Sequence, residues 1–233
     1  QFIGVREIRL PRTDFSNRLL DESSPSLVRD PAKCINCMRC VVACAEVQAV
    51  HLLTPEGRGF ESKVVPAMNA LLTDAVCTYC GQCAVVCPTA AIVEKDDVDK
   101  VWAALMDPDK HVIVQEAPAI RAQLGEEFGL PSGSLVTGKM IAALKRLGFD
   151  RVFDTNFTAD LTILEEGSEL LHRVNNGGTL PMITSCSPGW IKFIEHFYPN
   201  LLPNLSTCKS PQQMFGALAK TYYAQFEKID PSK

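Results

Sequence analysis

Cys34-Ile35-Asn36-Cys37-Met38-Arg39-Cys40-Val41-Val42-Ala43-Cys44 and Cys77-Thr78-Tyr79-Cys80-Gly81-Gln82-Cys83-Ala84-Val85-Val86-Cys87-Pro88 repeat one spacing, C-x2-C-x2-C-x3-C. Thiolates so spaced hold cubane [4Fe-4S] clusters. Three of them, two residues apart, wrap one face of a cubane from a single tight loop. The fourth opens the following helix, points away and reaches a second cluster. The motifs therefore interleave: Cys34, Cys37, Cys40 and Cys87 serve one cluster, and Cys77, Cys80, Cys83 and Cys44 the other. Structural zinc favours two separated cysteine pairs. Two repeats of four evenly spaced cysteines fit neither a zinc ribbon nor a secreted disulfide framework.

Working outward, residues 34–95 read as a bacterial-type two-cluster ferredoxin domain. In its spacer, His51-Leu52-Leu53 and Lys63-Val64-Val65 read as short strands around the Gly57-Arg58-Gly59 turn, and Ala90-Ala91-Ile92-Val93 as another. Small apolar residues beside the cysteines (Val41, Val42, Ala43, Ala84, Val85, Val86) exclude water, one of the levers on cluster potential. Residues 1–33 are polar and punctuated by Pro11, Pro25 and Pro31, which reads as a linker draped over this domain. The sequence opens on Gln1 rather than Met and reads as a piece of something longer.

Composition sets limits. The chain has 233 residues, 46% of them hydrophobic, enough for one sizeable core and a small satellite domain. Eight of ten cysteines fall in the twin motif, and thiolate-held clusters suit a reducing, cytoplasmic setting. No 18-residue apolar run suggests a membrane span. A net charge of −4 leaves no basic footprint for nucleic acid.

Beyond Lys95 helices and strands alternate, which predicts a parallel sheet flanked by helices with right-handed crossovers, and an α+β chain as a whole. Helices are expected over 98–106, 119–128, 138–147, 160–174, 190–197 and 211–226. Strands are expected over 111–115, 151–154 and 180–184, with Pro181 weakening the last. Ligands in such sheets gather at the strands' carboxyl ends. Here those ends are Ala117-Pro118, Thr155-Asn156 and Thr184-Ser185-Cys186.

Thr184-Ser185-Cys186-Ser187-Pro188-Gly189-Trp190 resembles the first catalytic-cluster signature of [FeFe] hydrogenases, usually T-S-C-C-P-G-W. The resemblance extends, in the family's order, to the twin cysteine motif, Ala117-Pro118-Ala119-Ile120-Arg121, Val136-Thr137-Gly138-Lys139, Leu147-Gly148-Phe149-Asp150 and Ser206-Thr207-Cys208-Lys209-Ser210-Pro211-Gln212-Gln213. It covers roughly residues 31–226. Phe2-Ile3-Gly4-Val5-Arg6-Glu7-Ile8-Arg9 resembles the segment after the extra iron–sulfur modules of larger, often NAD(P)-linked members.

The resemblance implies that residues 96–233 are the N-terminal part of an H-cluster domain, an incomplete α/β lobe. The family's later cysteine signatures, M-P-C-x-x-K and M-A-C-x-x-G-C, would follow Lys233. The H-cluster, a diiron site joined to a cubane, would need that remaining part, in the same polypeptide or a partner chain. A ferredoxin or an NAD(P)-linked flavoprotein subunit would exchange electrons with it. By position Cys186 matches the family's proton relay and Ser187 its cubane ligand. Protons would reach Cys186 from Glu166, Ser206 and then Glu169 beside Arg173. Ala117, Pro118, Ala119, Pro211 and Gln212 match positions lining the diiron pocket.

The residues also allow plainer readings. Glu166, Glu169 and Arg173 share one helical face at i, i+3, i+7, which a solvated acidic face with an i, i+4 ion pair would explain as well. The pocket residues could be turns and caps, and Cys208 reads as a small buried core residue. Gly133 to Lys139 fits G-x4-G-K, but Met140 replaces the hydroxyl that would meet Mg²⁺, so no nucleotide P-loop is expected. His51, His111, His172 and His196 lack metal-ligand spacing. The expected role is electron transfer and part of the catalysis of a hydrogenase, with a non-catalytic electron carrier or hydrogenase-like scaffold subunit as the rival.

Overall fold

The computed structural model describes residues 19–232. The segment 2–9, with its resemblance to larger family members, lies outside the described residues. The chain forms two compact units that divide at Asp96–Asp97.

In the first unit, β1 (Leu27–Arg29) precedes the first cysteine loop and α1 (Arg39–Val42), whose helical path widens into a π-type turn over Ala43–Val47. β2 (Leu53–Glu56) and β3 (Lys63–Pro66) form an antiparallel hairpin with Leu53 opposite Pro66. α2 (Gln82–Val85) follows the second loop, and β4 (Ile92–Glu94) returns antiparallel to β1, with Arg29 opposite Ile92. Within the segment read as a linker, Leu27–Arg29 thus lie as a strand along the cluster domain. Leu27 is buried, and the strand it anchors gives β4 the ladder partner that an isolated strand would lack. Cys40, Leu53, Val64 and Ile92 form one buried cluster; Leu27, Leu72 and Cys77 form another.

The second unit opens with α3 (Val98–Leu105) and β5 (Ile113–Glu116). α4 (Ile120–Gln123) and α5 (Thr137–Leu147) then cross over to β6 (Arg151–Asp154), which lies parallel to β5 with Glu116 opposite Asp154. Gly148, at φ 114°, ends α5 in a left-handed conformation that suits glycine. α6 (Thr155–Asn175) starts five residues earlier than expected, because Asp154 caps it by accepting from the Asn156 amide at 2.8 Å.

The expected strand over 180–184 is a single parallel bridge between Ile183 and Leu205. Pro181 has no N–H to donate, so the ladder cannot extend. The parallel sheet is accordingly β5 and β6 alone, with the Ile183–Leu205 bridge isolated from it. α7 (Pro188–Phe197) follows, then α8 (Pro211–Leu218), whose Ser210 and Gln213 form a capping box. The helical path continues through a wider turn, Ala219–Tyr223, into α9 (Ala224–Glu227). α6 packs on α8, where the buried Thr162 hydroxyl lies 3.3 Å from Met214 Sδ. Among the described residues no helix is long and apolar enough to cross a membrane.

Candidate functional site

The two cysteine loops turn alike. Each has a left-handed residue at the second and fourth positions after its first cysteine: Asn36 and Met38 (φ 54° and 64°), then Tyr79 and Gly81 (φ 56° and 79°). Left-handed backbone costs a non-glycine residue roughly 1–3 kcal/mol, and such residues cluster at functional sites. Part of that cost is offset locally. The Asn36 amide donates to Cys34 Sγ and the Tyr79 amide to Cys77 Sγ, each at 3.4 Å. The Leu52 amide donates to Cys44 Sγ at 3.3 Å. Amides aimed at sulfur favour negative charge on it.

Cys34, Cys37, Cys40 and Cys87 line one cavity of ≈ 440 Å³, counted out to its mouth, walled by Pro31, Val64 and Ala91. Cys44, Cys77, Cys80 and Cys83 line another of ≈ 460 Å³, walled by Leu27, Leu53 and Leu72. Ile92 and Arg29 border both. All ten cysteines are free thiols. Among the described residues no three Cys, His, Asp or Glu side chains are placed to hold a single metal ion. Four soft sulfur donors spread around an apolar space suit a cluster several atoms wide. The residues present therefore fit one cubane in each cavity.

Burial pushes the Cys40 thiol up to about 11 and the Cys83 thiol up to about 12, with neighbouring cysteines adding to both shifts. Burial raises Cys77 as well. Burial also pushes Cys87 up, but the amides of Thr89, Ile92 and Ala91 outweigh it and lower this thiol overall.

A buried ion pair lies beside the cavities. Asp21 and Arg29 bridge through their backbones, with 2.9 Å hydrogen bonds in both directions. Their side chains are 3% and 8% exposed, and Arg29 Nη2 stands 3.8 Å from Asp21 Oδ2. Arg29 Nη1 donates to the Val64 carbonyl at 3.0 Å, and Asp21 Oδ2 accepts from the Leu72 amide at 3.1 Å. Burial raises the Asp21 carboxyl, but bonds from Ser23, Leu72 and the charge of Arg29 leave it lowered overall. Neither residue stands out in sequence, because the segment reads as irregular.

In the second unit Glu116, buried at the end of β5, meets Arg121 and Asp154. Arg121 Nη2 donates to Glu116 Oε1 at 2.5 Å and to Asp154 Oδ1 at 2.9 Å. Burial, then the neighbouring Asp154, raises the Glu116 carboxyl. Ala117, Pro118 and Ala119 follow it, exposed. Cys186 and Ser187 are exposed where α7 begins; Pro211 is half-buried and Gln212 exposed in the first turn of α8.

Glu169 is a hub. Its Oε2 accepts from Ser206 Oγ at 3.1 Å, from the Thr207 amide at 3.0 Å and from Thr207 Oγ1 at 3.2 Å; Cys208 Sγ lies 3.5 Å away. Arg173 donates to Oε1 through Nε at 3.0 Å and Nη2 at 2.5 Å. The same guanidinium donates to the carbonyls of Thr179, Pro203, Asn204 and Leu205, clamping that loop onto α6. The pair is 11% and 15% exposed, so it is no solvated surface pair. Burial raises the Glu169 carboxyl, but the bonds from Arg173, Thr207 and Ser206 win and hold it below the usual carboxylate range.

The fold thus brings Ser206, Glu169 and Arg173 together. It does not close the other links: among the described residues no hydrogen bond joins Glu166 to Ser206 or to Cys186. Cys208, expected as a core residue, is half-buried, and its thiol faces Glu169. Burial raises that thiol, and the charges of Glu169 and Glu166 contribute. Only the path of the loop after α7 brings Thr207 and Cys208 to α6, which no local pattern announces.

Comparison with known proteins places these features. The pattern described as a 4Fe-4S dicluster domain matches residues 33–91, and that of the iron only hydrogenase large subunit, C-terminal domain, matches residues 110–233. The chain is 53% identical to the NADP-reducing hydrogenase subunit HndD of Solidesulfovibrio fructosivorans, over 99% of this chain and 40% of that protein. It is 48% identical to iron hydrogenase 1 of Clostridium pasteurianum, over 91% of this chain and 37% of that protein. The cytosolic iron-sulfur assembly component 3 of Rattus norvegicus is 32% identical over 78% of this chain and 39% of its own length. Among solved structures, apo [FeFe]-hydrogenase HydA1 from Chlamydomonas reinhardtii superimposes with a TM-score of 0.56 at 48% identity, over 59% of this chain and 36% of that one. The chain spans about two fifths of the length of these relatives. With a dicluster domain leading into a hydrogenase large-subunit domain, it belongs to the iron-only ([FeFe]) hydrogenase family.

Proposed function

We propose that this chain carries electrons, and part of the proton path, to the hydrogen-converting site of an [FeFe] hydrogenase. In the whole enzyme the reaction joins two protons and two electrons reversibly into hydrogen. The observation that carries the reading is the pair of interleaved four-thiol cavities in the first unit. Bound there, two [4Fe-4S] clusters supply one-electron transfer. The chain's own residues hold the thiol sets, exclude water with Val64, Ile92 and Leu72, and aim amides at the sulfurs. The remaining catalytic segment, in the same polypeptide or a partner, supplies the rest of the H-cluster. A ferredoxin or NAD(P)-linked flavoprotein exchanges electrons with it, in a cytoplasmic, anaerobic setting.

On the proton side, Glu169 is held ionised and accepts from the Ser206 hydroxyl; once a proton arrives at Oε2, that hydroxyl can turn, accept it and release its own proton to the next acceptor. Glu166 and Cys186 would continue the path, with Arg173 orienting Glu169. Ala117, Pro118, Ala119, Pro211 and Gln212 would shape the diiron pocket, with Ser187 at the cubane-ligand position. The proposed domains are a linker over 1–33, the cluster domain over 34–95 and the partial catalytic domain over 96–233. Hydrogen evolution from a reduced dye by the full-length protein with its diiron site loaded tests this. Its absence in a fully loaded protein refutes it.

A second reading, a non-catalytic iron–sulfur carrier or scaffold, is favoured by the likeness to an iron-sulfur assembly component and by Ser187 standing where the family's signature has its second cysteine. A loaded full-length protein that exchanges electrons with a dye but never forms hydrogen supports it.

A further inference from the structure

The buried Asp21–Arg29 pair is poorly explained by stability alone. Its charges stand 3.8 Å apart, and Arg29 Nε, though buried, has no hydrogen-bond partner among the described residues. Burying two charges costs desolvation that a loosely closed pair recovers only in part. A fixed charge in a dry interior acts strongly on any neighbour that changes charge.

The pair is also oriented. Arg29 borders both cavities, but through Nη1 it is tied to Val64, a wall of the first alone. Asp21 is tied to Leu72, a wall of the second alone. The guanidinium is thus anchored on a wall of the Cys34 cavity and the carboxylate on a wall of the Cys77 cavity.

We infer that this pair sets the two clusters apart in reduction potential, with Arg29 raising that of the Cys34 cluster and Asp21 lowering that of the Cys77 cluster. The inference rests on each cavity holding a cubane. Each cluster takes up one electron without making or breaking a bond, so its charge becomes more negative by one. Arg29 stabilises that added charge in the first cavity, and Nε–H remains available to a cluster sulfide. Asp21 opposes the added charge in the second. An electron on the Cys77 cluster therefore moves downhill to the Cys34 cluster.

The test uses the 233-residue chain, reconstituted with ferrous iron and sulfide without oxygen. Iron and sulfide are counted, and the clusters are titrated with dithionite and mediators under electron paramagnetic resonance. Cys37→Ser and Cys80→Ser backgrounds tell the two apart. In wild type the Cys34 cluster should be reduced first. Arg29→Gln should lower its reduced-to-oxidised ratio at fixed potential about tenfold, about 59 mV for one electron. Asp21→Asn should raise the ratio of the Cys77 cluster similarly. Asp21→Asn combined with Arg29→Gln leaves no unpaired buried charge and should bring the two potentials together. Loaded variants whose gap moves less than twofold overturn the inference. If these variants do not load, Arg29→Lys decides: a preserved gap supports the inference, because the charge is kept, and a collapsed gap overturns it. A wild-type chain that takes up no cubanes refutes the cluster reading itself, a separable failure.

Discussion

Ser206 Oγ donates to Glu169 Oε2 at 3.1 Å, across 37 positions of sequence, and the same carboxylate is gripped from its other side by Arg173. One side chain thereby joins α6 to the loop before α8.

Glu169→Gln should destabilise the chain by about 2 kcal/mol, below the roughly 3–5 kcal/mol of a fully broken buried pair, because Arg173 keeps its carbonyl partners. Urea unfolding at pH 7 measures the loss. Since the folded-state carboxyl of Glu169 is lowered, its contribution is present above the unfolded value of 4.5 and is lost as pH falls through the folded value. Wild type and variant should therefore converge in stability in acid. A difference that persists unchanged into strong acid contradicts the assignment.

Cys87→Ser should damage the cluster shared with Cys34, Cys37 and Cys40 and spare the one held by its sequence neighbours. Oxygen-free reconstitution of wild type should load about eight irons, two cubanes' worth. Loss of the other cluster in the variant, read by electron paramagnetic resonance, refutes the interleaving.

In full-length protein, Glu166→Gln and Cys186→Ala should each slow hydrogen turnover by about 10²–10⁴-fold, the usual contribution of a proton-transfer group. Iron in the two dicluster cubanes should not change. Unimpaired turnover in either variant removes that residue from the path.

Ser187→Cys in full-length protein should raise occupancy of the catalytic cubane if Ser187 stands at a vacated ligand position. Iron counting and Mössbauer spectra report it. A full-length Ser187 protein already fully loaded sinks that placement and points to Cys186 as the ligand.

A Cβ at Gly178 would stand 2.9 Å from Arg173 Cα and 3.0 Å from its Cβ. Gly178→Ala should therefore cost about 1–3 kcal/mol through overpacking and loosen the Arg173 clamp. Thermal unfolding of the variant checks this, and an unchanged midpoint contradicts the close approach.

Much of the fold was legible because its signals are local. Cysteine spacing announces the cluster loops, and β6 runs from Arg151 to Asp154 as its apolar centre predicts. What sequence pattern missed depends on partners distant along the chain. β1 exists because β4 lies beside it, and the 180–184 strand shrank to one bridge because Pro181 carries no donor.

Sequence by itself determined which chemistry the chain can hold: eight thiolates in two interleaving sets, and the family to which it belongs. Spacing suffices for that, since each seven-residue loop brings three thiols to one cluster and the cysteine four positions on reaches toward the other. Only the tertiary structure decided where charge sits around those sets. Asp21 finds Leu72 51 positions away, Arg29 finds Val64 35 away, and Glu169 finds Cys208 39 away. Such contacts follow from how separate elements pack and leave no periodicity to read. In a dry interior the strength of a charge depends on its distance and its partners, which only the folded chain specifies.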